Sequence, residues 1–259
     1  MSQKNKYIAF FLLGITSVVV YYKFTHTKKT LYEKTGIIGA MSEEVALLKE
    51  KMKLDSIYPY AGLNFYVGKL AGQPVVIVKS GIGKVNAAMA SQILIDKFSV
   101  AKIINTGVAG ALNDTLKIAD IVIGKSVQYH DFDVTKFGYK KGIIPRMKTS
   151  IFKTDKKLRE KVLKKGHALR YRISLGKILS GDQFADENQK RNIKQKMGGD
   201  AVEMEGAAIG HICYLNKIPF VIIRAISDKA TGEAPKDYEL FKQKAASKSA
   251  NLILESLKN

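Results

Sequence analysis

The stretch "VEMEGAAIGHICYLNKIPFVIIRAISD", Val202 to Asp228, decides the fold. From Gly206 it reads as a buried helix, with Ala207, Ala208, Ile209, Ile212 and Leu215 at its apolar positions. The run "PFVIIRAISD" that follows is too apolar for a surface segment and reads as a central strand. Two acids, Glu203 and Glu205, stand in what reads as the first turn of the helix. A carboxylate held near a core must be paired, hydrogen-bonded or protonated, because burying it alone is costly.

Outward from this stretch, short apolar runs alternate with amphipathic ones, the signature of strands separated by helices. Before it, "TGIIGAM" is a buried strand and "SEEVALLKEKMK" a helix with Val45, Leu47, Leu48 and Met52 inward. "LNFYVGKL" and "PVVIVKS" form a hairpin about Ala71 and Gly72. "KVNAAMASQILIDKF" is helical, "AKIINTGVAG" is a strand ending in a glycine loop, and "IADIVIGKSVQY" and "SLGKILSGD" are further strands. After it, "DYELFKQKAASKSANLILESL" closes the chain as a helix. No repeat, Pro-rich linker or low-complexity tract divides residues 35–259, so the reading is one α/β domain.

Residues 1–34 stand apart. "YIAFFLLGITSVVVYY", Tyr7 to Tyr22, carries no charge, follows Lys4 and Lys6 and precedes Lys23, Lys28 and Lys29. As a helix it spans about 24 Å against the roughly 30 Å of a hydrocarbon core, a length suited to a signal segment or short anchor. The expectation is a membrane-associated or exported protein, with the face of the membrane left open.

The 259 residues hold 43 basic and 23 acidic side chains, a net charge of +20, and 46% are hydrophobic, so a real core forms. Lys136 to Arg172 is the most basic part, opposed only by Asp155 and Glu160. Such a surface attracts polyanions or anionic lipid. No helix-turn-helix, zinc finger or aromatic-studded strand accompanies it, so specific nucleic-acid recognition is not expected. The lone Cys213 lies in the apolar helix and reads as a buried, inert thiol.

In open α/β sheets, ligands bind beyond the carboxyl ends of the strands. Three such places here carry acids: Glu43 and Glu44 after "GIIGAM", Asp228 beside Ser227 after "VIIRAI", and Glu203 with Glu205. Each has an ordinary alternative, since acids favour helix N-termini and aspartates cap turns. The four histidines lack metal-ligand spacing, "SGIGKV" fits neither phosphate-binding glycine pattern, and no G-x-S-x-G elbow occurs. No metal or cofactor is expected.

The segments "GIIGAMSEEV", "KSGIGKVNAA", "IINTGVAGAL", "YHDFDVTKFGY", "SGDQF", "VEMEGAAI" and "VIIRAISDKA", taken in order, resemble the 5'-methylthioadenosine/S-adenosylhomocysteine nucleosidases of the nucleoside phosphorylase superfamily. The resemblance implies a central mixed twisted sheet flanked by helices. It implies hydrolysis of 5'-thio-substituted adenosines, and of 5'-deoxyadenosine, to adenine and a substituted ribose, as in methionine salvage. By the same resemblance, Asp228 is the general acid at adenine N7 with Ser227 orienting it, and Glu44 holds the attacking water. Glu205 takes the ribose hydroxyls, so that its partner is substrate rather than protein, and Met204 packs under the sugar. Glu203, placed about 200° round the helix from Glu205, takes a partly structural role, with Arg224 as the cation of the cluster. Phe184 stacks on adenine, backbone of Ala185 reads the base edge, and Ile82 lines the 5' pocket. Phe137, Tyr139 and Pro145 are lent by a neighbouring subunit, which implies a homodimer. Val108 replaces a serine common near the ribose.

Two alternatives remain. A purine nucleoside phosphorylase needs an anion site near the first strand, where this chain has Glu43 and Glu44, which repel phosphate. A membrane-displayed polyanion binder on the same fold would use the basic stretch, with Lys156, Lys157, Lys164 and Lys165.

Overall fold

The computed structural model describes residues 34–229 and 234–258; Tyr7 to Tyr22 lie outside them. Ten strands, β1 (Thr35–Gly39), β2 (Lys53–Tyr60), β3 (Leu63–Leu70), β4 (Gln73–Lys79), β5 (Lys102–Ala111), β6 (Ile121–Tyr129), β7 (Phe152–Lys153), β8 (Ile173–Ser180), β9 (Ala201–Glu203) and β10 (Phe220–Asp228), join one mixed sheet. Six α-helices are described with them: α1 (Ser42–Lys51), α2 (Lys84–Phe98), α3 (Lys156–Ala168), α4 (Glu187–Met197), α5 (Gly206–Asn216) and α6 (Ala234–Leu257).

Strand β5 organises the sheet. Along one edge it pairs in parallel with β10, from Ile103 to Gly110. Along the other it pairs first with β1, from Lys102 to Asn105, and then with β9, at Gly110 and Ala111. Because β10 continues through β6, β8 and β9 back to β5, these five strands close a ring, while β1, β4, β3 and β2 extend from β5 as an open wing. Between its contacts with β1 and β9, β5 offers the backbone of Thr106 and Val108 to side chains instead of a strand.

Two apolar cores flank the sheet. One gathers Ala87, Ala90 and Leu94 of α2 and Ala207, Ala208 and Ile209 of α5 under strand residues such as Phe65 and Ile222. The other gathers Val45 and Leu48 of α1, Val162 of α3 and Ala246, Ala250 and Ile253 of α6 under Ile37, Ile77 and Ile223. The strands that face both layers are near-continuous apolar runs, and β10 is buried throughout its length.

The β3–β4 hairpin turns at Ala71 and Gly72, both at positive φ, as a two-residue turn matched to strand twist requires. Strand β2 escapes the sequence reading for a physical reason. All eight of its residues are exposed and its apolar ones, Leu54, Ile57, Tyr58 and Tyr60, do not alternate strictly with polar ones, while Pro59 is tolerated because β2 is the sheet edge. Helices α3 and α4 escape it too. They are lysine-rich with few apolar residues, and what marks their starts is Asp155 accepting from Leu158 N–H and Asp186 accepting from Gln189 N–H, each at 2.8 Å. Helix α5 begins at Gly206, so Glu203 ends a strand and Glu205 is the N-cap; the reading of both acids as the first helical turn is corrected. Leu215, expected inward, is 59% exposed, while Cys213 is buried and its thiol pushed up by desolvation.

Phe65 is fully buried and stacks on Phe98 at 4.9 Å between centroids. Phe65→Ala should lower unfolding free energy by about 3–5 kcal/mol in urea titration. A loss below about 1 kcal/mol would contradict its place in the core.

Candidate active site

The ends of β1, β5, β9 and β10 meet the starts of α1 and α5 around one cavity of ≈ 350 Å³. Its lining brings together the acids Glu44, Glu203, Glu205 and Asp228, from three remote parts of the sequence, with Ser227 beside the last.

Glu44 is the third residue of α1, and its side chain folds back over the helix start. One carboxylate oxygen accepts from Ala40 N–H at 2.6 Å and Met41 N–H at 3.0 Å; the other accepts from Val108 N–H at 3.1 Å. Burial raises its pKa, against the opposing pull of the Arg224 charge and these three backbone donors. Glu43, beside it, is only partly buried and is absent from the cavity wall.

Arg224, in the middle of β10, is wholly buried. Its guanidinium donates to the Thr106 carbonyl at 3.0 Å, to Glu203 in a short ion pair, and to Glu205 at 3.3 Å. Gly107 leaves room for it, since a Cβ there would overlap both the guanidinium and the Glu44 carboxylate. Glu203 is saturated by protein donors: Ser180 Oγ, the N–H groups of Glu205 and Gly206, and Arg224. Glu203 and Glu205 thus share one cation, contrary to the helical projection that set them apart; a strand end followed by an N-cap turns both inward.

Glu205 has protein partners as well. Besides Arg224, it accepts from Gly83 N–H at 2.9 Å, which the "SGIGKV" loop delivers at a φ of 98 that glycine alone adopts readily. Desolvation, reinforced by the Glu203 and Glu44 charges and opposed by Arg224, pushes Glu205 up to about 8. The expectation that this acid lacks a protein partner is corrected.

On the wall of the same cavity, Asp228 accepts from Ser227 Oγ at 2.7 Å and forms a short ion pair with buried Lys190 of α4. Met204, Val108, Ile82, Phe184 and Ala185 line the same space; Ile82 is 52% exposed at its mouth. Phe184 meets Tyr238 of α6 edge-on at 5.6 Å, and the Tyr238 hydroxyl donates to Met41 Sδ at 3.0 Å. Phe137, Tyr139 and Pro145 do not line the cavity, and Phe137 is 80% exposed. The sequence reading missed Lys190, Tyr238 and Gln183 on the wall. Gln183 stands in the quoted segment "SGDQF" beside Phe184, whereas Lys190 and Tyr238 carry no pattern that separates them from other surface polar residues.

The arrangement brings Glu44 and Asp228 to the wall of one apolar cleft, together with Glu203 and Glu205 of a buried arginine–carboxylate cluster. The sequence profile of the phosphorylase superfamily matches residues 34–258. A 5'-methylthioadenosine/S-adenosylhomocysteine nucleosidase of Staphylococcus aureus is 46% identical over 220 residues, 84% of this chain and 96% of that protein.

The chain belongs to the 5'-methylthioadenosine/S-adenosylhomocysteine nucleosidase family.

Solved structures agree. The nucleosidase of Neisseria meningitidis, in complex with methylthio-immucillin-A, superimposes with a TM-score of 0.84 at 38% identity, covering 87% of this chain and 99% of that one. Futalosine hydrolase of Helicobacter pylori matches with a TM-score of 0.84 at 30% identity, covering 88% and 98%. The expectation of a membrane-associated or exported protein is corrected, since neither the matched family nor the names of its relatives support it. Among the described residues, moreover, no helix is long and apolar enough to cross a membrane.

The raised Glu205 has a consequence for stability. At low pH both folded and unfolded states hold its proton; as pH rises, the unfolded chain releases it first and the folded state loses ground. This contribution falls from about pH 5 until the folded group ionises near 8. Thermal melting from pH 5 to 9 should show a decline that Glu205→Gln flattens. Identical slopes in both proteins would contradict the protonation assigned to Glu205.

Proposed function

We propose that this protein hydrolyses the N-glycosidic bond of 5'-methylthioadenosine and S-adenosylhomocysteine, giving adenine and the 5'-substituted ribose. The observation that carries the reading is the convergence of Glu44, Glu205 and Asp228 on one cavity in a chain of this family.

An adenine anion is a poor leaving group. Asp228, held by Ser227, donates a proton to N7 so that the base departs neutral. Glu44 orients the attacking water and takes its proton. As the C–N bond breaks, the ribose gains oxocarbenium character, which the nearby carboxylates offset. Glu205 accepts hydrogen bonds from the ribose hydroxyls, Arg224 and Glu203 fixing its position. Met204 packs under the sugar, Phe184 stacks on the purine, backbone of Ala185 reads its edge, and Ile82 borders the 5'-substituent. Val108 brings no hydroxyl to the ribose, a loss of about 0.5–1.5 kcal/mol of binding at most.

Exposed Phe137 and Tyr139, with Pro145 on the same segment, support a homodimer in which each subunit lends these residues to its neighbour's 5' pocket. The basic stretch from Lys136 to Arg172 lines no part of the cavity and supports only weak, salt-screened attraction to polyanions.

Hydrolysis is favoured over phosphorolysis by charge. Arg224 is committed to Glu203, Glu205 and Thr106, and Lys190 to Asp228, so phosphate would meet Glu44 without a free cation among the residues lining the site. Adenine release from methylthioadenosine should therefore run at full rate in phosphate-free buffer. Asp228→Asn and Glu44→Gln should each lower kcat by about 10²-fold or more with the fold retained. Wild-type turnover in Asp228→Asn, or a strict need for phosphate, would sink the proposal.

A further inference from the structure

Helix α4 is polar along almost its whole length, "ENQKRNIKQKM", and its one buried residue is Lys190. Burying a lysine costs side-chain entropy and hydration, so an ordinary surface helix keeps its lysines in water. This one is drawn inward to Asp228. Its ammonium contacts Asp228 Oδ2 in a short ion pair and donates to the Lys229 carbonyl at 2.9 Å. Both side chains of the pair are almost fully buried. Room is made on the opposite side by Gly110 of β5, where a Cβ would stand 2.6 Å from Lys190 Cε and 2.8 Å from Nζ. Ser227 holds the other oxygen of Asp228, so the carboxyl group is fixed at both ends.

We infer that Lys190 is a positioning residue for the general acid, its ammonium placed to receive the negative charge that Asp228 acquires as its proton passes to the purine. The inference rests on the role given to Asp228 above. In that step the Asp228 O–H bond breaks and an N7–H bond forms. The C1'–N9 electron pair passes to the purine, and water adds at C1' with loss of a proton to Glu44. Asp228 is left as a carboxylate, and the cation that meets it is already in place. A charge fixed beforehand needs no reorganisation at the moment of reaction, which is why such groups act on the barrier rather than on binding. The Asp228–Lys190 ion pair is the arrangement reached after donation, and a proton from solvent restores the acid.

A double-mutant cycle with methylthioadenosine tests this. Lys190→Met should lower kcat on the order of tenfold or more while KM stays within about threefold, and Lys190→Arg should recover part of the loss. In the Asp228→Asn background, Lys190→Met should lower kcat no further, because the charge it serves is gone. Lys190→Gln, closer in shape to lysine, carries the same expectations should the methionine variant not fold, with thermal melting as the check. A Lys190→Met kcat within about twofold of wild type would overturn the inference, as would an equal loss in both backgrounds. Full turnover in Asp228→Asn would instead overturn the assignment of the acid itself, a separate outcome.

Discussion

The buried guanidinium of Arg224 is the interaction on which the site depends. A cation with no exposure is tolerated only against carboxylates in good geometry, and Glu203 and Glu205 supply them. The dependence is mutual, since both acids turn to the same guanidinium. Burial raises the proton affinity of Glu44 and Glu205, at Glu205 with the added charges of Glu203 and Glu44, while Arg224 opposes the shift at both. Gly107 makes the meeting sterically feasible, for any side chain there would occupy the space of the guanidinium.

The splayed sheet explains why these groups gather at this spot. Where β5 leaves β1 and has not yet reached β9, its Thr106 carbonyl and Val108 N–H lack strand partners on that edge. Arg224 and Glu44 satisfy them, so a gap in strand pairing becomes a seat for a cation and a carboxylate. Further along β5, Gly110 does for Lys190 what Gly107 does for Arg224. Two glycines on one strand, three residues apart, thus leave room for the two buried cations that pair with the acids.

Much of this was legible in the sequence. Buried strands such as β1, β5 and β10 announce themselves as apolar runs because both faces are covered, and the alternation with amphipathic helices gives the α/β class. The acids of the cavity stand out because they follow such runs. What escaped had a weak or irregular apolar pattern: β2 is exposed along its whole length, and α3 and α4 are mostly solvated. Lys190 is indistinguishable by type from its exposed neighbours; only the tertiary position of α4 turns it inward. The placement of Glu203 failed for a local reason, since three residues of β9 precede the helix and reset the direction of the side chains.

The central claim is that paired acids around one cleft let water displace a protonated purine. Mass spectrometry of the ribose product formed from methylthioadenosine in H₂¹⁸O tests it most directly. The account predicts one solvent oxygen at C1 of each methylthioribose and none in adenine, in the absence of phosphate. A product without solvent oxygen at C1, or a ribose 1-phosphate formed when phosphate is added, would contradict it.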